Sequence, residues 1–457
     1  MKVKNPPKLP SFKTAFDELN SSPTTYREFM KPIDEKGRYL HWDELRHRIG
    51  KDVKPDIAWW FVKAARKSGG KNLPFRDKKG NHAYLFITDF MQRVCSQVDR
   101  LTSSAAEKEL MQGLDGRDYF IKELFGEESI SSSQLEGAAT TTRVAKEMLQ
   151  VQRQPRNPSE KMIFGNYKMM QFVATHADEK LSIELIKKIH TVGVSGINDD
   201  EYFPGSFRDN NKVVVEDTET GDTIHEPPCH TEINGLLQTL CDWANEPHEK
   251  NLTGSYLHPL VKACVLHFMI GYIHPFSDGN GRTARAIFYW YMLKCGYSAF
   301  KHISISRLLK NAPTAYVKSY IYTETDEFDF TYFVSYQCNI VSKAVEAYVE
   351  YIKQVIKTRA ELMQWLWEGD LSQKLNARQR EIMTVAVSDP GRLFTINEAI
   401  ANLGVSYNTA RKDFNELVEL GLMKSHKDGR ETVFISPKNL KQAKKWTGQE
   451  ALPDNKW

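Results

Sequence analysis

The chain has 457 residues, 41% of them hydrophobic and 26% charged, with a formal net charge of +4. This is ordinary globular usage in a chain too long for one core, so two or three domains are expected, and the small net charge decides little about partners. No apolar run reaches the length of a membrane helix, no apolar leader follows Met1, and the six scattered cysteines lack metal or disulfide spacing; a cytoplasmic protein with no membrane partner is expected.

Residues 1–95 read as a polar region bearing Trp42, Trp59 and Trp60, with turn signals at Gly69-Gly70 and Gly80-Asn81; the sequence assigns it no task. A strand over Tyr84-Leu85-Phe86-Ile87-Thr88 closes it, and helices dominate from Asp89. In Ser131-Ser132-Ser133-Gln134-Leu135-Glu136-Gly137, the Ser133-x-x-Glu136 spacing is that of a capping box that would start the following helix. Apolar periodicity predicts helices near 144–151, 167–174, 183–192 and 233–243. Between the last two, Pro204-Gly205-Ser206-Phe207-Arg208, Lys212-Val213-Val214-Val215, a polar turn at Thr220-Gly221-Asp222 and Thr223-Ile224-His225 read as a β-hairpin.

An apolar helix from about Pro259 to Ile273 then delivers the chain to His274-Pro275-Phe276-Ser277-Asp278-Gly279-Asn280-Gly281-Arg282-Thr283-Ala284-Arg285, where Pro275 stops it. Gly279 and Gly281 remove bulk where backbone amides would approach an anion, and a new amphipathic helix from Arg282 to Met292 points its N-terminus at the loop. Arg282 and Arg285, three apart, reinforce a polyphosphate site. Asp278 is placed to hold magnesium beside phosphates, and His274 to accept a proton near neutral pH. Together these residues imply phosphoryl or nucleotidyl transfer.

Beyond this, Asp329-Phe330-Thr331-Tyr332-Phe333 opens a helix expected to reach about Ile356, and Tyr320 and Tyr322 are candidates either to flank an adenine or to pack in the core. Three helices (377–387, 395–403 and 406–420) with a turn at Gly404-Val405 precede two strands around Asp428-Gly429-Arg430, a pattern that resembles a winged helix-turn-helix. Tyr407, Asn408, Thr409, Arg411 and Lys412 at the start of the third helix, with Arg430 on the wing, could face DNA. Asp413, Glu416, Glu419, Asp428 and Glu431 offset those cations, which leaves protein docking or dimerisation equally open.

The string from His274 to Arg285 resembles the signature of the Fic family, His-Pro-Phe-x-Asp/Glu-Gly-Asn-Gly/Lys-Arg-x-x-Arg, with every specified position filled. The resemblance implies an enzyme that moves AMP from ATP onto a serine, threonine or tyrosine hydroxyl of a protein. His274 would be the base, Asp278 would hold Mg2+, and Asn280 would position the α-phosphate. Gly279 and Gly281 would line the anion hole, Arg282 and Arg285 would hold the terminal phosphates, and Phe276 would anchor the loop. Ser132 to Gly137 resembles the inhibitory motif of the same family, in which Glu136 would pair with Arg285 and block seating of the γ-phosphate. The hairpin resembles the Fic flap: Lys212, Val213, Val214, Val215 and Ile224 would hold the target as an extended segment by strand addition.

The expected fold is mainly α: a helical Fic core at 96–355, with its inhibitory helix (131–137) and β-hairpin flap (205–228), then a C-terminal winged-helix domain at 370–436 and a basic tail at 437–457. The implied partners are ATP and a protein substrate. Self-modification, DNA and a second copy of the chain stay open as partners. So do two other functions: a deAMPylase that removes AMP, and a nucleotide-sensing DNA-binding regulator. Gly279-Asn280-Gly281 departs from the kinase-like variant of the fold.

Overall fold

The computed structural model describes residues 3–112, 117–150, 153–197, 203–216, 221–247, 256–368, 371, 373–388, 391–428, 431–437 and 440–447. The protein is mainly helical, with three small antiparallel sheets among the described residues. Arg430 of the expected wing and Thr220 of the expected flap turn lie outside the described residues.

The chain begins with a small apolar cluster built on Tyr26, Trp42 and Trp59, to which helix α1 (Pro55–Gly69) contributes. A two-stranded sheet follows, β1 (Lys71–Arg76) with β2 (His82–Leu85), then α2 (Asp89–Thr102). The expected boundary at residue 95 does not coincide with a break in packing. Leu73, Phe75, Ala83 and Leu85 of the hairpin belong to the main core, and the separate cluster ends at Val62. Buried polar contacts fasten the two together. Lys63 pairs with Asp326 at 2.9 Å, and Arg66 lies 3.6 Å over the Tyr39 ring while donating to Leu40 O and to the Tyr332 hydroxyl.

The main core is a helical bundle of α3 (Arg117–Leu135), α4 (Pro158–Thr175), α5 (Ile183–Val194), α6 (Ile233–Asn245), α7 (Pro259–Ile273), α8 (Asn280–Lys294), α9 (Pro313–Thr325) and α10 (Thr331–Glu368). Helix α7 is apolar on all faces apart from Lys262 and His267, and every residue of it except Gly271 is buried. Helix α8 packs along it, and the loop between them is presented at one end of this central pair.

The Ser133-x-x-Glu136 spacing does not start a helix. Ser132 and Ser133 lie in the last turn of α3, where the Ser133 hydroxyl bonds back to Ser129 O at 2.9 Å. Gly137 (φ +94°) ends the helix: its amide donates to Gln134 O and that of Ala138 to Ser133 O, the paired bonds of a Schellman C-cap. Glu136 is therefore the C-cap residue. Of the expected first flap strand only Val215 pairs; β3 (Val215–Glu216) meets β4 (Thr223–His225), while Lys212, Val213 and Val214 are irregular.

Helix α10 runs past the expected end near Ile356 to Glu368, and its Trp365 is part of a second core. That core joins α11 (Ala377–Ser388), β5 (Leu393–Thr395), α12 (Ile396–Leu403), α13 (Tyr407–Glu419), β6 (Lys424–Asp428) and β7 (Glu431–Ile435), in a sheet of order β5-β7-β6. A capping box does occur here, between Thr395 and Glu398 at the start of α12, and Gly404 (φ +65°) closes that helix. Helix α12 packs against α3 of the bundle.

Candidate functional site

His274 ends α7 in the left-handed region (φ 48°, ψ 59°), its amide still donating to Ile270 O. Arg208 occupies the carbonyl-rich end of that helix. Its Nε donates to His274 O at 2.9 Å, its backbone amide donates to Pro275 O at 2.9 Å, and Nη1 donates to Asn210 O at 3.0 Å. The His274 Nδ1 faces Gly271 O at 3.2 Å, so that nitrogen carries the proton and Nε2 keeps its lone pair. Burial is the main cause that pulls its pKa down to about 4; the Gly271 carbonyl opposes the shift and His225 adds to it. The residue as a whole is half-buried. A neutral imidazole with one nitrogen held and the other free is arranged to accept a proton.

The loop after His274 is fastened from within. Phe276 is fully buried and stacks on His190 at 3.7 Å. Asn280 uses both ends of its carboxamide on the same residue, Oδ1 accepting from Phe276 N (2.9 Å) and Nδ2 donating to Phe276 O (2.8 Å). In this structure Asn280 thus clamps the loop. Gly279 adopts φ +78°, and a Cβ there would fall 3.0 Å from Val194 Cγ1 and 3.2 Å from His190 Nε2. Asp278 is half-buried, its Oδ1 accepting from Gly279 N at 2.5 Å. Among the described residues no cluster of three or more His, Cys, Asp or Glu side chains could enclose a metal ion. The donor set at Asp278 fits magnesium only as a shared ligand, one carboxylate completed by phosphate oxygens and water.

The two arginines diverge. Arg282 reaches Gly193 O at 3.5 Å, at the end of α5, whereas Arg285 reaches α3. Arg285 is almost wholly buried; its Nε donates to Ser132 Oγ (2.8 Å) and its Nη2 to Ser132 O (3.2 Å) and Glu136 Oε1 (2.7 Å). Burial works against its charge, but the Glu136 carboxylate, with Tyr316 and Glu128, more than offsets this and raises its pKa. A Cβ on Gly281 would lie 2.1 Å from Glu136 Oε1. The glycine at that position therefore lets a carboxylate settle directly over the first turn of α8, the end of a helix that attracts anions.

Two residues of the site escaped the sequence reading. His190 takes a hydrogen bond from Gly205 N on Nδ1 (3.1 Å) and donates from Nε2 to Asp278 O (2.9 Å), tying the base of the flap to the loop. Burial, the largest cause, lowers its pKa to about 4 and keeps it neutral. Arg208 was visible only as part of the hairpin segment. The flap itself is secured by His225, whose ring nitrogens meet Tyr272 O and Glu324 Oε2, each at 2.8 Å. Val214 is 37% exposed. Tyr320 and Tyr322 pack in the interior, Tyr320 on Phe268 (4.9 Å) and Tyr322 on His41 (4.2 Å).

In the C-terminal unit, Ser406 caps α13 by accepting from Thr409 N, and Tyr407, Asn408, Arg411 and Lys412 are exposed. Of the acids that offset those cations in the sequence, Asp413 turns inward, while Glu416 keeps a 3.8 Å contact with Lys412. Asp413 is 2% exposed and bound by Arg378 at 2.6 Å, and Glu416 accepts from Gln379 at 2.5 Å.

A loop of this composition between two central helices, followed by a three-helix unit with a small sheet, defines a Fic domain joined to a helix-turn-helix domain. Residues 180–292 match the model of the Fic/DOC family and residues 380–433 that of the DeoR-like helix-turn-helix domain, so the chain carries both. Over 137 residues it is 31% identical to "Protein adenylyltransferase Fic" of Drosophila virilis, a match spanning 30% of this chain and 25% of that protein. Over 73 residues it is 37% identical to the protein of the same name from Drosophila melanogaster, covering 16% of this chain and 14% of that one. The matched stretch thus spans about a quarter or less of these relatives. Among solved structures it is similar to a Fic family protein from Desulfovibrio desulfuricans G20, with a TM-score of 0.46 and 17% identity over 77% of this chain and 98% of that one. No helix among the described residues is long and apolar enough to cross a membrane.

Proposed function

We propose that this protein transfers AMP from ATP to a hydroxyl of a protein side chain and rests in a state held off by Glu136. The observation that carries the reading is the position of the Glu136 carboxylate, 2.7 Å from Arg285 and directly over Gly281, in the anion nest beside a neutral His274. In the reaction, His274 Nε2 takes the proton of the incoming hydroxyl as its oxygen bonds to the α-phosphorus. The bond from that phosphorus to the bridging oxygen breaks, and pyrophosphate leaves with the electron pair. Asp278 would hold magnesium together with the nucleotide, which supplies charge neutralisation at the phosphates. Arg282, Arg285 and the amides of the α8 N-terminus bind the phosphates. The flap, through Val214, Val215 and Ile224, holds the target segment in extended form. With Glu136 in place, Arg285 is engaged and the nest already carries a negative charge, so the terminal phosphates cannot seat.

The test is incubation of wild type, Glu136→Gly and Glu136→Gly/His274→Ala with magnesium and ATP labelled at the α-phosphate, following label on the protein. Label should rise in Glu136→Gly and vanish without His274. Its absence from all three, with ATP still bound, would replace this reading by AMP removal or nucleotide sensing.

DNA binding through α13 is a second, compatible reading, supported by the exposure of Tyr407, Asn408 and Arg411 and by the inward turn of Asp413, while Lys412 shares its charge with Glu416 at 3.8 Å. Arg411→Ala/Lys412→Ala should weaken binding to duplex DNA and flatten its dependence on salt. An unchanged salt slope would assign this face to a protein partner.

A further inference from the structure

Away from the His274 loop, a cleft of about 550 Å³ opens between the N-terminal region, α2, α9 and α10. Lys36, Arg38, Arg48, Arg93 and Lys318 line it, Arg38 being paired with Asp34, and Glu44 is the sole carboxylate among its described lining residues. The chain as a whole is almost balanced, 62 Lys and Arg against 58 Asp and Glu, so this imbalance is local. Lys36, Arg93 and Lys318 meet no carboxylate at ion-pair distance among the described residues, and Arg48 donates only to the backbone at Glu44. Cations gathered this way repel one another unless an anion lies between them. The Tyr336 hydroxyl, at the wall, is buried and has no hydrogen-bond partner among the described residues.

Helix α9 separates the cleft from the Fic loop. Tyr316 and Tyr320 face the core, Tyr316 bonding to His267 and Tyr320 stacking on Phe268, while Lys318 and Ser319 face the cleft. Arginine forks and lysine ammonium groups gathered round one cleft suit the several oxygens of a phosphate better than they suit a lone carboxylate. The volume falls within the range of about 300–1,000 Å³ common to small-molecule sites. We propose that this cleft is a second ligand site, for a small phosphorylated compound up to the size of a nucleotide, and that it gives the N-terminal region a binding role of its own.

The test is calorimetric titration of the full chain with pyrophosphate and, separately, with AMP. Four proteins are compared: wild type, Arg93→Gln/Lys318→Gln, Arg282→Gln in the Fic loop, and Lys108→Gln as a remote loss of one positive charge. Binding by at least one probe should persist in wild type, Arg282→Gln and Lys108→Gln and weaken about tenfold or more in the Arg93/Lys318 variant. Arg93 and Lys108 are exposed, Lys318 is half-buried and Arg282 is buried, so circular dichroism on each variant checks that the fold is retained. Binding abolished by Arg282→Gln and untouched by the cleft variant would overturn the proposal, as would no binding of either probe at millimolar concentration. Because the readout is binding at a separate place, its failure leaves the AMP-transfer reading intact.

Discussion

Burial keeps His274 neutral, and on the proposed reading this sets the pH range of AMP transfer. With a pKa of about 4 it holds no proton to shed at neutral pH. In Glu136→Gly, AMP transfer should be flat in its His274 dependence from pH 8 to about 5.5 and fall as pH drops toward 4. A midpoint near 6.5 in a pH-rate profile would mean that the ring is not desolvated. Ser132 offers a second single-residue test. Ser132→Ala removes the acceptor from the buried Arg285 Nε and should cost about 1–2 kcal/mol in urea denaturation. The loop was legible because its chemistry is contiguous in sequence. His190 and Arg208 were not, because each acts on a backbone carbonyl, 88 residues away at Asp278 and 66 residues away at His274, and no pattern of side-chain types marks such a partner.

Elements were legible where a pattern repeats and obscure where the signal is a single spacing. The largely apolar helix α7 was read to its ends, and the helices of the C-terminal unit nearly so, while β5, three residues long, was missed and its last residue, Thr395, was read into α12. The Ser133-x-x-Glu136 spacing serves equally at either end of a helix, and Gly137 with its positive φ was the sign that it marks an end. Gly137→Ala should accordingly destabilise the protein by about 1 kcal/mol or more, because alanine resists that backbone region. Arg208 joins the flap to the end of α7 through Asn210 O and His274 O. Arg208→Ala should cost roughly 2–4 kcal/mol and hasten proteolytic cleavage within 212–225; an unchanged digestion pattern would show that His225 alone holds the flap.

At the scale of the whole molecule, His41, His190 and His274 all have pKa values lowered from 6.5 to about 4, each chiefly by burial. In the unfolded chain they would take up protons below pH 6.5, whereas in the folded protein they resist doing so until about pH 4. Their contribution is therefore fully present above pH 6.5 and lost as pH falls from 6.5 toward 4, by up to about 3 kcal/mol each. Urea midpoints at pH 7 and pH 5 measure this, and equal midpoints would refute it. The continuity of α10 from the first core to the second was not legible, because the apolar pattern fades near Ile356 while the backbone stays helical to Glu368. The seat of Glu136 over Gly281 has a last consequence. On the proposed reading, a carboxylate tethered beside the phosphate seat acts as a resident ligand at high effective concentration, and a free phosphate compound binds only in the fraction of time the seat is vacant. Occupancy at that seat is then set by a ratio between the solution concentration of the anion and the stiffness of α3, so that loosening a helix end has the same effect as supplying more ligand.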